Sequence, residues 1–178
     1  MTQSLPLTKI MPPANILITG CSTGIGYQCA KQLHEMGYKV IATCRQQEDV
    51  TRIKSEGITC IQLDLADSQS IEVALKQVLL EADGKIDALF NNGAFGLPGA
   101  VEDLSRQAME YQFQTNVFGT QELTNAVVKI MRKQGYGKIL YNSSILGFAA
   151  MQYRGAYNAS KFAIEGFADT LRLEIKQD

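Results

Sequence analysis

Short apolar runs and amphipathic segments alternate along most of this chain. Five runs have the length of buried strands and lie at residues 15–19, 39–44, 59–63, 88–90 and 138–142. Helical spacing of apolar positions predicts helices at 48–55, 105–113, 116–134 and about 153–176, with further helices after the first and third strands. Such alternation predicts a parallel sheet covered by helices on both faces through right-handed crossovers, which is a doubly wound α/β fold.

Local signals set the ends and the buried faces of several helices. The first helix is expected to end at Gly37 and the second at Gly57, because glycine readily adopts the left-handed conformation that ends helices. Asp67 is expected to cap the third helix. The apolar faces expected to be buried are Ile25, Cys29, Leu33 and Met36 in the first helix, and Ile71, Ala74, Leu75, Val78 and Leu79 in the third.

The composition is that of an ordinary globular protein. The 178 residues are 46% apolar and 20% charged, which predicts one domain with a proper core, and the net charge of −1 gives no bias toward nucleic acid. No apolar run approaches the roughly 20 residues that span a bilayer. With no signal-peptide pattern either, a cytoplasmic location is expected. The four cysteines lack CxxC spacing and His34 has no partner, so no metal site is expected.

The segment TGCSTGIG at residues 19–26 follows the first strand and opens the first helix. Gly20 is expected to permit a tight turn, Gly24 a close approach to a pyrophosphate, and Gly26 close helix–strand contact. The helix N-terminus offers free N–H groups and a positive dipole end to the phosphates. This context favours a dinucleotide over a glycine-rich connection without a ligand, and the lack of Gly-Lys-Ser/Thr excludes a Walker-type loop. The other candidate cofactor contacts in the turn are Ser22, Thr23 and Ile25.

Arg45 follows the second strand, where dinucleotide folds that select NAD carry an acidic residue for the ribose 2′-hydroxyl. A guanidinium suits a 2′-phosphate instead. No carboxylate competes before Glu48, so NADP(H) is favoured over NAD(H). The alternative is a solvated surface arginine.

Tyr157 and Lys161 are four residues apart and therefore lie on one face of the last helix. That face is predicted to point to the core, because it continues through Ile164, Ala168, Leu171 and Ile175. A lysine at its leading end is unusual for a packing surface. In a cleft the pair makes chemical sense, because a neighbouring ammonium favours the phenolate form of a tyrosine that acts as acid and base.

Taken together, these motifs resemble the short-chain dehydrogenase/reductase family over nearly the whole chain. They are, in order, TGCSTGIG at 19–26, Asp64-Leu65 after the third strand, NNGA at 91–94, Asn116, Ser144 after the fifth strand, and YNASK at 157–161. The resemblance implies a Rossmann-type three-layer domain at 15–178, preceded by an N-terminal extension at 1–14.

The resemblance also implies a role for each matching residue. Tyr157 would exchange a proton with the substrate oxygen, Ser144 would hydrogen-bond that oxygen, and Lys161 would bind the nicotinamide ribose. Asn116 would hold a water that links Lys161 to solvent. The hydride passes between the nicotinamide and the substrate carbon. Asp64 and Leu65 would flank the adenine, and the cofactor cleft would be lined by Asn92, Gly93 and Ala94.

GCSTGIG together with ATCR most resembles the NADP-preferring members related to hydroxysteroid and retinol dehydrogenases. This implies an apolar ketone or secondary alcohol as the small-molecule substrate. Phe95, Leu97, Phe148 and Met151 are candidates for an apolar substrate pocket or for packing within loops. The family also implies homodimers or homotetramers, formed through the helix at 116–134 and the final helix.

The chain departs from the family pattern at two places. NNGA stands where the family has NNAG, and the exchange is expected to change the backbone, because alanine tolerates positive φ poorly. Family members also continue into two more strands and a segment that covers the substrate, whereas this sequence stops at Asp178. We therefore expect the parent protein to be longer, and an intact mass near 19.6 kDa would contradict this.

Three functions remain open from the sequence. The first is an NADP(H)-dependent oxidoreductase that interconverts an apolar alcohol and a carbonyl compound. The second is a non-catalytic NADP(H)-binding sensor or scaffold. The third is a nicotinamide-dependent epimerase or dehydratase of the same fold, in which the same tyrosine is redirected by substrate geometry.

Overall fold

The structure is a computed structural model that describes residues 9–175. Its parallel sheet has the strand order β3-β2-β1-β4-β5. The strands are β1 Asn15–Ile18, β2 Lys39–Cys44, β3 Thr59–Gln62, β4 Ala88–Asn91 and β5 Lys138–Tyr141. The order reverses at β1, which pairs with β2 on one side and with β4 on the other. The predicted doubly wound, Rossmann-type α/β fold is therefore confirmed.

Within residues 9–175, six α-helices connect and follow these strands. They are α1 Gly24–Glu35, α2 Gln47–Ser55, α3 Ser68–Glu81, α4 Arg106–Phe113, α5 Thr120–Gln134 and α6 Gly155–Glu174. No helix within residues 9–175 combines the length and apolar character needed to cross a bilayer. Residues 1–8 of the predicted extension, and Lys176 at the predicted end of the last helix, lie outside the described residues.

The core occupies both faces of the sheet, as expected of parallel strands that alternate their side chains. On one face Leu17 and its neighbours pack against α3 and α5. On the other face Ile16 and Ile18 pack with residues of α1 and α2. Both layers leave the carboxyl ends of the strands open, which is where ligands bind in this fold class.

The predicted ends of the first three helices are largely confirmed. Gly37 and Gly57 follow α1 and α2 with φ of +86° and +85°. The Asp67 side chain caps α3 by accepting a hydrogen bond from the Gln69 backbone N–H at 2.9 Å. The stripe on α3 is also confirmed, since Ile71, Ala74 and Val78 are buried and Leu75 and Leu79 pack against the same cluster.

The predicted buried face of α1 is confirmed at Cys29 and Leu33, which pack against the core, and is wrong at its two ends. Ile25 and Met36 are 59% and 63% exposed. The fully buried residues of α1 are Gly26 and Ala30 instead. A Cβ on Gly26 would collide with the Gly20 carbonyl, so α1 lies close enough to the preceding loop that only small residues fit beneath it.

The helices predicted at 105–113 and 116–134 are joined without a break. A π-helical turn, Gln114–Gly119, connects α4 to α5 and contains Asn116. A Cβ on Gly119 would collide with the Leu65 carbonyl, so this turn passes directly against the loop after β3. π-Turns of this kind occur frequently at functional sites.

Candidate active site

The glycine turn after β1 uses its three glycines for different physical reasons. Gly20 has φ +69° and a Cβ there would lie 2.7 Å from the Gly93 Cα, so both conformation and space require glycine. Gly24 has φ +63°, and a Cβ added there would have no atom within 4 Å, so the space beside its backbone is open. Gly26 is needed for packing against the Gly20 carbonyl. The conformations match those expected of a turn that holds phosphates.

Two cavities meet at this turn. The larger has a volume of about 600 Å³ and extends to Tyr157 and Lys161. The smaller has a volume of about 370 Å³ and extends to Arg45 and Asp64. Both are lined by Gly20, Ser22, Gly93, Ala94 and Phe95. The larger is also lined by Thr23, Ile25 and Asn92, and the smaller by Leu65, so the structure brings most of the predicted cofactor residues to one groove.

A line of amide hydrogen bonds joins the glycine turn to α6. The Asn92 Nδ2 donates to the carbonyls of Thr19 and Gly20, both at 3.0 Å. The Asn142 Nδ2 donates to the Asn92 Oδ1 at 2.9 Å. The Lys161 Nζ in turn donates to the Asn142 carbonyl at 2.7 Å. Three strand ends and the last helix are thereby fixed relative to one another.

Neither of the exchanged residues, Gly93 and Ala94, has positive φ. Within residues 9–175 the non-glycine residues with positive φ are Asp83 and Tyr153, and Gly93 is not among the glycines with positive φ. Gly93 is required by space, because a Cβ there would lie 2.9 Å from Cδ1 of Leu65. Alanine at position 94 is therefore compatible with this loop.

Tyr157 and Lys161 lie together at the far end of the larger cavity. The Lys161 Nζ is 5.6 Å from the centre of the Tyr157 ring. Lys161 is only 5% exposed, and its burial lowers the pKa of the amine below its ordinary value, against an opposing effect of Glu165. The Tyr157 hydroxyl makes no hydrogen bond within the described residues, and Tyr157 lines the larger cavity.

The apolar stripe that continues from this pair is buried only at its start. Ile164 is 3% exposed, as predicted. Ala168, Leu171 and Ile175 are half-buried and line a groove beside β5. Because β5 is an edge of the described sheet, no strand from residues 9–175 covers this part of the stripe.

Ser144 lies at the start of a short 3₁₀ turn, Ile145–Gly147, just after β5. Its Oγ accepts a hydrogen bond from the Leu146 backbone N–H at 3.1 Å. The neighbouring Ser143 lines the larger cavity, and its buried Oγ has no partner within the described residues. The sequence prediction named Ser144 alone, but of these two serines Ser143 lines this cavity, and Ser144 is not among its lining residues.

Asn116 is 2% exposed, and its side-chain amide makes three hydrogen bonds within the protein. The Oδ1 accepts from the Phe95 N–H at 3.1 Å, and the Nδ2 donates to the Phe95 carbonyl at 2.9 Å and to the Ser160 Oγ at 3.1 Å. The side chain therefore holds the loop that lines the cleft. The predicted water between Asn116 and Lys161 stays a prediction.

The sequence did not single out two residues that shape this cleft. Gln112 is fully buried, accepts from the Leu97 N–H and donates to the Phe95 carbonyl, both at 2.8 Å. The sequence feature that could have identified Gln112 is its place one helical turn before Asn116, on the same face of the helix. Arg154 lines the larger cavity beside Tyr157. Of the four apolar candidates, Phe95 and Met151 line this cavity, and Leu97 and Phe148 are not among its lining residues.

The smaller cavity carries the residues predicted for the adenine end. Arg45 is exposed, and its guanidinium makes no hydrogen bond or ion pair within residues 9–175. The Asp64 Oδ1 accepts from the Ala66 N–H at 2.9 Å, and Leu65 is buried. The Asp49 carboxylate of α2 pairs with the Arg52 guanidinium at 3.0 Å rather than with Arg45. A free guanidinium, open glycine backbone and a buried amine together fit a phosphorylated dinucleotide.

Comparison with known proteins agrees with this geometry. A sequence model of the family described as short chain dehydrogenase matches residues 14–178. The chain is 39% identical over 170 residues to the uncharacterized oxidoreductase YbbO of Escherichia coli K12, covering 96% of this chain and 63% of YbbO. It is 37% identical over 175 residues to human retinol dehydrogenase 8, covering 93% of this chain and 55% of that protein.

A solved structure gives the same result. A short-chain dehydrogenase from Streptomyces avermitilis superposes with a TM-score of 0.87 at 30% identity, covering 92% of this chain and 61% of the other. The chain thus spans 55% to 63% of the length of these relatives.

Proposed function

The chain belongs to the short-chain dehydrogenase family, and from this premise we propose that it is an NADP(H)-dependent oxidoreductase. It interconverts a secondary alcohol and a ketone, or an alcohol and an aldehyde, by hydride transfer. The observation that carries the proposal is the position of Tyr157 and Lys161 at the end of a cavity that begins at the glycine turn.

The chain's own residues supply the proton and the orientation for this reaction. The nicotinamide, when bound, supplies or accepts the hydride. In reduction the Tyr157 hydroxyl gives its proton to the carbonyl oxygen as that oxygen gains charge, and in oxidation it takes the proton back. The nearby Lys161 ammonium stabilises the phenolate and binds the ribose hydroxyls of the cofactor. Ser144 hydrogen-bonds the same substrate oxygen, and Asn116 takes part in returning a proton from solvent.

The preference for NADP(H) rests on Arg45. Its unpaired guanidinium lies at the end of β2 beside the smaller cavity, where a bidentate contact with a 2′-phosphate is possible. Arg45→Gln should weaken NADPH binding about 10- to 100-fold, as expected for loss of a charged hydrogen-bond pair, and leave NADH binding within about twofold. The matched control is Arg172→Gln, an exposed arginine of α6 paired with Asp169. Equal losses for the two cofactors would contradict the assignment.

The substrate assignment rests on apolar lining at the catalytic end. Phe95, Leu146 and Met151 contribute to the wall of the larger cavity. One relative is named for retinol, a compound that is mostly hydrocarbon. An apolar alcohol or carbonyl compound of small or medium size is the substrate that this wall favours.

Assembly into homodimers or homotetramers is part of the same proposal. Phe118 in the π-helical turn and Phe162 on α6 are 54% and 49% exposed, and they lie on the two segments through which the family implies assembly. Sedimentation velocity should give a mass of two or four chains. A monomer at micromolar concentration would contradict the assembly without affecting the active site.

The test of the reaction is NADPH consumption, followed by absorbance, with a panel of apolar ketones and aldehydes. Tyr157→Phe should abolish turnover and leave NADPH affinity within about threefold, because only the reacting hydroxyl is removed. Tyr136→Phe is the matched control, because that hydroxyl bonds Asp87 at the amino ends of β4 and β5, whereas the site lies at the carboxyl ends of the strands. Tight NADPH binding without turnover of any carbonyl by the wild type would favour a binding function instead.

A further inference from the structure

Three side chains of α6 and its N-cap border the larger cavity on successive helical turns. Arg154, Tyr157 and Lys161 are separated by three and four residues, so they follow one face of the helix. Lys161 lies on the side of Asn142, toward the glycine turn. Arg154 lies one turn away from Tyr157 in the opposite direction, which is away from the cofactor residues and toward Met151.

The Arg154 guanidinium is a direct neighbour of the proposed reaction centre. A Cβ on Gly96 would lie 3.3 Å from Cδ2 of the Tyr157 ring and 3.7 Å from the Arg154 Nη1, so both groups flank one glycine. The Arg154 main chain is fixed by a hydrogen bond from the Asn158 N–H to its carbonyl at 2.7 Å and by a bridge to Gly99. The fold therefore sets the backbone position from which the Arg154 side chain reaches the cavity wall.

This guanidinium has no partner within the described residues. By contrast, Arg52 pairs with Asp49 and Glu56, and Arg172 pairs with Asp169. Arg154 itself is half-buried, so water screens its charge less than it does on an open surface. A half-buried cation without a counter-ion in a ligand cavity indicates that the ligand supplies the negative charge.

We propose that Arg154 binds an oxyanion group, a carboxylate or a phosphate, carried by the carbonyl substrate. This inference rests on the proposed oxidoreductase function and narrows its substrate class to apolar carbonyl compounds with one acidic group. One helical turn separates residues 154 and 157, a rise of about 5 Å. The acidic group therefore lies a few bonds from the carbonyl carbon that meets Tyr157, while the hydrocarbon portion contacts Phe95 and Met151.

The experiment compares matched charged and neutral carbonyl probes. The carboxylate pair is 4-oxopentanoate and its methyl ester, and the phosphate pair is hydroxyacetone phosphate and hydroxyacetone. The wild type should prefer the charged member of at least one pair in kcat/KM, and the pair with the larger preference identifies the group. Arg154→Gln should reduce that preference about 10- to 100-fold, as expected for loss of a charge-assisted hydrogen bond. The kcat/KM for the neutral probe should stay within about twofold of the wild-type value. Arg154→Lys should retain part of the preference for the charged probe, and the control variant Arg172→Gln should retain all of it.

Binding measured without turnover separates this inference from the proposed function. Titration calorimetry with the NADP⁺-saturated protein should detect the charged probe in the wild type and a loss of about 10-fold or more in Arg154→Gln. If no probe is reduced but binding depends on Arg154, the anion site stands and the oxidoreductase proposal fails. If neutral probes are reduced, while charged ones show no preference and no dependence on Arg154, the anion site is overturned and the oxidoreductase proposal stands. Circular dichroism of each variant confirms folding.

Discussion

Replacing Asn92 with alanine tests whether amide side chains at the strand ends hold the cofactor turn in place. The Asn92 Nδ2 donates to the Thr19 and Gly20 carbonyls at 3.0 Å, and its Oδ1 accepts from Asn142 at 2.9 Å. Alanine removes all three hydrogen bonds. It adds no compensating contact, since the methyl group stops well short of the turn.

The magnitude follows from the number of bonds and the burial of the site. An ordinary intramolecular hydrogen bond contributes about 0.5–1.5 kcal/mol net. Asn92 is half-buried, so water reaches part of the vacated space and the loss falls in the lower half of the combined range, at about 2–3 kcal/mol. For a chain of this size the melting temperature should fall by about 5–10 °C. NADPH affinity should fall as well, because Gly20 loses its fixed position.

The assay is urea unfolding followed by circular dichroism at 25 °C, combined with NADPH titration by fluorescence. Asn125→Ala is the matched control, because Asn125 is exposed and accepts a single hydrogen bond from Gln121 at 2.9 Å. Its unfolding free energy should stay within about 0.5 kcal/mol of the wild type. Asn92→Asp should be at least as damaging as Asn92→Ala, because a carboxylate would face two carbonyl oxygens. If Asn92→Ala matched Asn125→Ala in both stability and NADPH affinity, the Asn92 side-chain hydrogen bonds would have no energetic role.

Three further predictions address the turn, the buried amine and a helix cap. Gly24→Ala should cost about 1–2 kcal/mol for its left-handed backbone alone, whereas Gly20→Ala should cost clearly more, since its Cβ would lie 2.7 Å from the Gly93 Cα; similar urea midpoints would contradict this. Burial lowers the pKa of Lys161 below its ordinary 10.5, so the folded state binds fewer protons there than the unfolded state, and stability from this group rises as pH increases toward 10.5. Lys161→Met should remove that rise, so parallel stability curves for wild type and variant between pH 7.5 and 10 would contradict the effect. Asp67→Ala should lower the unfolding free energy by about 1 kcal/mol in urea, through loss of the cap on the Gln69 N–H.

Much of the sheet could be predicted from the sequence because parallel strands require apolar runs and glycines end the helices. Strand β2 has the predicted bounds, and Gly37 and Gly57 end their helices as expected. Apolar periodicity predicted only part of the buried face of α1, namely Cys29 and Leu33. Close approach to the turn selects for small residues, so Gly26 and Ala30 face inward, although Ile25 and Met36 are more apolar.

The position of the candidate site was also accessible from the sequence, because the carboxyl ends of parallel strands meet at one edge. That rule alone brings the turn after β1, Arg45 after β2 and Asp64 after β3 together. Gln112 and Arg154 were not accessible in the same way. Their importance depends on which loop passes over them, and hydropathy patterns do not encode the path of a loop.

The amides at the strand ends hold the glycine turn and the Lys161 amine in a fixed arrangement. A turn with two left-handed glycines has high conformational freedom by itself. Here Asn92 holds two carbonyls of that turn, and Asn142 connects Asn92 to the carbonyl that receives the Lys161 ammonium. Each link is a hydrogen bond between residues that are distant in sequence, so the turn and the amine keep a fixed separation. Binding then requires little reordering of the protein, which is the condition under which phosphate and ribose contacts contribute most to affinity.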